Sequence, residues 1–171
     1  MDAIFSLYLK LSEMAVKAVS MLAIVVMIAA GSIEIVSRSF LHVSYPWTQE
    51  VSLLAAMWVY FFAYALVAKN HSYIRVEILV GLLPDAGQRL VVLLSRIFVV
   101  LFYLLVVWLG RQTIGLLSAF RTDVLELPDY LYVVPLVLGA ADIVLTETIY
   151  LIWQLQGRDV PGLHVSRVTP V

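Results

Sequence analysis

The sequence predicts an all-α membrane protein: four transmembrane helices in an antiparallel bundle, with a short interfacial amphipathic helix between the second and third. Three observations carry this. First, the 171 residues are 63% hydrophobic and 13% charged. Soluble domains carry about 25% charged residues, and a domain of this size cannot bury so much apolar surface. Second, Val51 to Ala68 is an 18-residue run without a charge. At about 1.5 Å per residue it covers roughly 27 Å, close to the hydrocarbon core of a bilayer. Third, three more long apolar stretches are joined to it by loops short enough to make neighbours antiparallel.

In chain order, residues 1–12 place Ile4, Leu7 and Leu11 on one face with Tyr8 beside it. That is a short surface helix or a lead-in to the first span. The first span covers about 14–36, with Lys17 near its start and Glu34 near its end. Ala29-Ala30-Gly31 imitates the cleavage site of a secretory signal. The apolar stretch continues to Val36, so an uncleaved helix is expected. The first loop, about 37–47, holds Arg38, Phe40, His42, Tyr45 and Trp47.

The second span, about 48–69, opens on Pro46, Trp47 and Glu50 and closes on Lys69, Asn70 and His71. Aromatic and polar residues are expected where a span meets headgroups, and Trp47 reads most simply as an anchor there. His71 reads as a hydrogen-bonded loop residue. In the segment 72–84, Ile74, Ile78 and Leu82 share one helical face, with Arg75 and Glu77 turned away, and Pro84 ends it. The third span, about 89–112, is interrupted by Arg96. The third loop carries Arg121, Asp123, Glu126 and Asp129, and Pro128 restarts the chain. The fourth span, about 130–154, contains Asp142 and Glu147. Residues 1–156 thus form one membrane domain, and 157–171, with Gly157, Pro161, Gly162 and Pro170, a flexible tail.

Four spans put both termini on one side. The termini and second loop hold Lys10, Lys17, Lys69, Arg75, Arg89, Arg158 and Arg167; the other loops and their flanks hold Arg38, Arg111 and Arg121. Basic residues concentrate in the cytoplasm, so both termini are expected there.

An ionisable group in the bilayer costs about 2.5–3.5 kcal/mol on insertion scales and therefore faces a partner, a cavity or an interface. Arg96 lies 7 residues from the start of its span and Glu147 lies 7 from the end of its own, at similar depth. Arg96 is expected to pair with Glu147, to pair with Asp142, or to snorkel to the headgroups. At the outer end, Glu34 and Arg38 are spaced i,i+4 and can pair. Glu50 lies at similar depth, so Arg38 can also bridge to it. That bridge would be a clamp between helices or, more sharply, a transport site.

The chemistry of other classes is missing. Without cysteine there is no disulfide, thiolate catalysis or Cys metal site. A net charge of −1 gives no nucleic-acid partner. His42, His71 and His164 lie outside the apolar runs, so none is an axial haem ligand at mid-depth. There is no Gly-rich phosphate loop and no Ser-His-Asp grouping. No catalytic residue, cofactor or metal is expected. Nor are there the repeats and broken helices of a standalone transporter. Small-residue clusters occur instead, at Ala29–Ser32, Ala55-Ala56, Ala63 and Ala65, and Gly139–Ala141. Such residues let helices approach closely in lipid, and they are expected to dock on a membrane partner.

One ordered set of features extends over about residues 10–155: Arg38-x-Phe40, Pro46-Trp47 with Glu50, His71, Ile74 to Leu79, Leu83-Pro84, Leu127-Pro128 and Pro135. The set resembles the small membrane subunit of tripartite ATP-independent periplasmic (TRAP) transporters, the DctQ-like proteins. That family often has Asp where Glu77 stands, and a second acid beside Glu50 where this chain has Gln49. An acid pair is therefore not implied at that position.

The resemblance implies a bacterial inner-membrane subunit bound to a larger, many-span subunit that carries the sodium and substrate sites. A periplasmic binding protein would deliver an organic anion such as a dicarboxylate or sugar acid. The small subunit would be a lipid-embedded scaffold that holds the static part of its partner while a mobile elevator domain moves. Apart from the resemblance, the residues themselves give Arg38, Trp47, Glu50, His71, Arg96, Asp142 and Glu147 as structural or interface candidates. A membrane anchor for a redox enzyme and a small standalone exporter are the competing classes.

Overall fold

The structure is a computed structural model that describes residues 2–69 and 84–157. Four helices in it are long and apolar enough to cross a membrane. Helix α1 runs Asp2–Val36. No proline or glycine interrupts residues 2–30, so the amphipathic lead-in and the first apolar stretch share one unbroken helix. A π-helical turn, Ser37–Leu41, extends α1 until His42 takes a left-handed conformation (φ 55°) and ends it. Helix α2, Pro46–Lys69, starts on a proline, whose missing N–H costs nothing at a helix start.

Helix α3, Asp85–Leu117, begins directly after the extended Pro84 and outruns its apolar core at both ends. Helix α4, Val134–Leu155, follows a single 3-10 turn at Asp129–Tyr132. Pro135 sits in its first turn, where it is tolerated. Gly157, at φ 73°, closes it. Among the described residues there is no strand, only an isolated bridge between Arg121 and Pro128. The interfacial helix expected over 72–84 lies, up to residue 83, outside the described residues, as do His71 and the tail from 158 onward.

Helix α1 packs on α2, α2 on α4, and α4 on α3, with a light touch between α1 and α4. The order across the bundle is therefore α1–α2–α4–α3. Position in this row decides burial: 39% of the apolar window of α4 is buried, against 11% for that of α3. The centre is Ala65, Ala68 and Ile143, with Val99 and Tyr103 of α3 against them.

Small residues set the spacing. A Cβ on Gly139 would lie 3.0 Å from the Phe61 carbonyl oxygen, and one on Gly110 would lie 2.5 Å from Val137 Cγ2. Ala30, Ala55, Ala65 and Ala140 are buried too. Part of the small-residue surface expected to dock on a partner is thus used inside the bundle. Of the clusters, Ala30, Ala55, Ala65, Gly139 and Ala140 are buried where the chain's own helices approach closely, while Ala29, Ser32 and Ala63 stay exposed. The outward faces carry large apolar side chains instead, among them Met21, Val25 and Ile28 on α1 and Leu94, Phe98, Leu101 and Trp108 on α3.

Candidate functional site

The polar side chains gather at two levels. One lies where α1 turns into α2 and the α3–α4 loop comes down beside it. The first N–H groups of a helix lack partners within it. Glu34, near the end of α1, supplies acceptors for this turn. Its Oε2 accepts from the Tyr45 backbone N–H at 3.1 Å and from the Thr48 hydroxyl at 2.9 Å. Its Oε1 accepts from Ser44 Oγ at 2.7 Å and from Arg38 Nη2 at 2.6 Å. Thr48 is buried beneath this knot. Trp47 is half-buried, its ring centroid 6.5 Å from that of Tyr45.

Glu50 serves the neighbouring loop. That loop doubles back on itself: Thr122 N–H donates to the Leu127 carbonyl at 2.8 Å, and Asp129 N–H to Phe120 at 3.2 Å. Glu126 takes a left-handed conformation (φ 52°) to make the reversal. The amides at the tip, Val124 and Leu125, point at α2, and the Glu50 carboxylate accepts both, at 2.9 and 3.0 Å. The Tyr132 hydroxyl adds a bond to the Glu50 carbonyl at 3.3 Å.

The bridge from Arg38 to Glu50 is therefore not formed. Arg38 turns back to Glu34, one helical turn away with no loop to close, and to Ser44 at 3.3 Å. Both Glu50 oxygens face backbone N–H groups.

At the second level, near the other end, all four helices meet. Lys69 Nζ, on the last residue of α2, lies 2.7 Å from Asp142 Oδ2 of α4 and donates to Ser12 Oγ of α1. Tyr8 of α1 donates to Asp142 Oδ1 at 2.9 Å. Beside this, Arg96 Nη1 of α3 lies 3.5 Å from Glu147 Oε2 of α4. The Arg96 guanidinium sits 5.4 Å above the centre of the Tyr150 ring. The Tyr150 hydroxyl in turn donates to the Lys69 carbonyl at 3.4 Å. Of the two acids of α4, the structure brings Glu147 to Arg96 and Asp142 to Lys69. The Arg96 side chain is buried between α3 and α4 and does not reach outward as snorkelling requires.

Several of these residues escape sequence reasoning. Lys69 looks like a flank because it ends an uncharged run. Its one signal is that Asp142 needs a cation and α2 has a lysine only at that end. Tyr8 and Tyr150 give no signal, because a tyrosine at a helix end is as readily a headgroup anchor. Glu34 is legible as the i,i+4 partner of Arg38, but not as the acceptor for Ser44, Tyr45 and Thr48.

Among the described residues no group of three or more His, Cys, Asp or Glu side chains could hold a metal ion. His42 stands exposed in the turn. Among the described residues, two open apolar recesses stand out on the surface. One, about 310 Å³, runs between α1 and α2 past Leu22, Ala23, Ala55 and Trp58. The other, about 360 Å³, lies at the end of α1. Chemically, this arrangement braces helices. Each buried cation faces an acid of another helix, and the two end acids hold backbone amides.

The sequence model of the DctQ component of tripartite ATP-independent periplasmic transporters matches residues 27–156. A Haemophilus influenzae protein with the provisional name TRAP transporter small permease protein is 25% identical over 114 residues, covering 67% of this chain and 69% of that one.

Proposed function

The chain belongs to the DctQ component family of tripartite ATP-independent periplasmic transporters, and from that premise we propose that it is the transmembrane scaffold of such a transporter. As a family member it is a multi-pass membrane component of a transport system with other parts. In the proposal it supports a large subunit that couples sodium to the uptake of an organic anion, a carboxylate or sugar acid brought by a periplasmic binding protein. It sits in the bacterial inner membrane with both termini in the cytoplasm, residues 1–156 forming the membrane unit and 157–171 the tail.

One observation carries this. Among the described residues, every buried charged side chain, Lys69, Arg96 and Glu147, faces an opposite charge on another helix of the same chain. Intramembrane charges that line a transport path face a cavity or water; these hold helices together. The outward faces of α1 and α3, lined with large apolar side chains, suit lipid and a larger partner. The distribution of Lys and Arg between the loops supports the orientation.

Deleting the chain from cells tests the role. Uptake should be lost while the binding protein's affinity for its ligand stays unchanged. Full sodium-driven uptake by the remaining subunits would refute it. A C-terminal reporter that reads out on the periplasmic side would refute the orientation.

A further inference from the structure

We propose that the turn between α1 and α2 holds a membrane phospholipid, with the phosphate on Arg38 and part of one acyl chain in the recess beside it. The Arg38 side chain is 61% exposed. Glu34 and Ser44 both engage the same atom, Nη2. The remaining N–H groups of the guanidinium find no acceptor among the described residues, yet the group is held in place by the two bonds it makes. A half-engaged, fixed guanidinium is the form of arginine suited to a phosphate, which takes two of its parallel N–H groups at once.

The recess lies on the same turn. It measures about 360 Å³ and is lined by Ser32, Ile33, Val36, Ser37, Leu41 and Tyr45. Ser37 and Leu41 bracket Arg38 in the π-helical turn, and Tyr45 follows Ser44, which takes the second Arg38 bond. The two serines add little free polarity: Ser37 is buried and its Oγ donates to the Glu34 carbonyl, and Ser32 is exposed. The remaining lining is apolar or aromatic.

The occupant follows from having both halves together. An acidic side chain of a protein partner would use the cation and leave the recess empty. An apolar helix would fill the recess and leave the guanidinium bare. A phospholipid presents an anion and a hydrocarbon chain in one molecule, and the turn lies where a span gives way to headgroups. Glu34 stays ionised beside Arg38, and the N–H and O–H dipoles of Tyr45, Ser44 and Thr48 turned on its oxygens offset part of its charge. The inference needs only that the chain lies in a membrane; it does not depend on the scaffold role.

The test is native mass spectrometry of the full chain, purified in mild detergent with phosphatidylglycerol added, on wild type, Arg38→Gln and Ser32→Trp. Circular dichroism establishes that both variants keep their helix content. Wild type should retain one phosphatidylglycerol. Arg38→Gln should retain about tenfold less, the value of a charge-assisted phosphate contact. Ser32→Trp fills the recess from its exposed rim without touching a charge, and should retain less by a similar factor. Equal retention in all three proteins overturns the proposal. So does a loss in only one variant, because the site requires both halves. So does unchanged lipid retention by Arg38→Gln combined with loss of a co-purifying protein, which would make Arg38 a subunit contact.

Discussion

Arg96 of α3 and Glu147 of α4 face each other at 3.5 Å, with each side chain 5% exposed. Helix α3 packs mainly on α4, and this pair is a buried polar tie between the two. Removing one partner strands the other charge in a low-dielectric interior, which costs about 3–5 kcal/mol, whereas replacing both with apolar side chains is often neutral. Arg96→Met or Glu147→Leu alone should lower the thermal stability of the detergent-solubilised chain sharply. The double variant should recover most of the loss. A double variant no better than either single one would mean that the pair does not join the two helices.

Lys69 and Asp142 form the other intramembrane ion pair, and Asp142 has a second support in Tyr8. The two partners should therefore differ in weight. Tyr8→Phe removes one hydrogen bond and should cost about 1 kcal/mol. Lys69→Met removes the countercharge and should cost about 3 kcal/mol or more. Chemical denaturation in micelles gives the order, and an equal effect of the two substitutions would show that Asp142 does not depend on the lysine.

Glu50 makes a prediction about a loop rather than about the bundle. Its two carboxylate oxygens hold the amides of Val124 and Leu125. In Glu50→Ala both amides lose their acceptor, and their hydrogen exchange should quicken about tenfold, the value of a bond to a charged group. Glu50→Gln keeps one acceptor oxygen, so protection should be partly retained. Unchanged exchange in the alanine variant would separate Glu50 from the loop.

Two glycines separate backbone from side-chain constraints. A Cβ on Gly139 would meet the Phe61 carbonyl oxygen at 3.0 Å, and one on Gly110 would meet Val137 Cγ2 at 2.5 Å. Gly139→Val should force α2 and α4 apart at a cost of about 1–3 kcal/mol, and trimming neighbouring side chains should not rescue it. Gly110→Ala should be rescued by Val137→Ala. Gly31→Ala and Gly115→Ala, with nothing within 4 Å of the added atom, should be neutral. Thermal melts of these variants decide this, and rescue of Gly139→Val by a side-chain change would contradict the backbone assignment.

The four helices were legible because a bilayer leaves little choice. A chain with runs such as Val51 to Ala68 must satisfy its backbone within the helix. That Arg96, Asp142 and Glu147 needed partners was legible for the same reason. Which partner each took was not. Depth along a helix can be counted from the sequence, but rotation about its axis relative to its neighbours cannot. That rotation gives Arg96 to Glu147 and Asp142 to Lys69.

The order α1–α2–α4–α3 was hidden too. It depends on Gly139 meeting Phe61 and Gly110 meeting Val137, contacts between residues far apart in the chain. The Arg38–Glu50 bridge failed for a simpler reason. Similar depth does not make two residues face each other, and the amides of the third loop had a prior need for an acceptor.

The central claim is that the chain braces a transporting partner and moves no solute itself. Its most direct test is solute uptake into proteoliposomes that contain the large subunit with or without this chain, given the loaded binding protein and an inward sodium gradient. Uptake is expected only when both membrane subunits are present, with none from this chain alone. Equal uptake by the large subunit alone, or any sodium-driven uptake by this chain alone, would contradict the account.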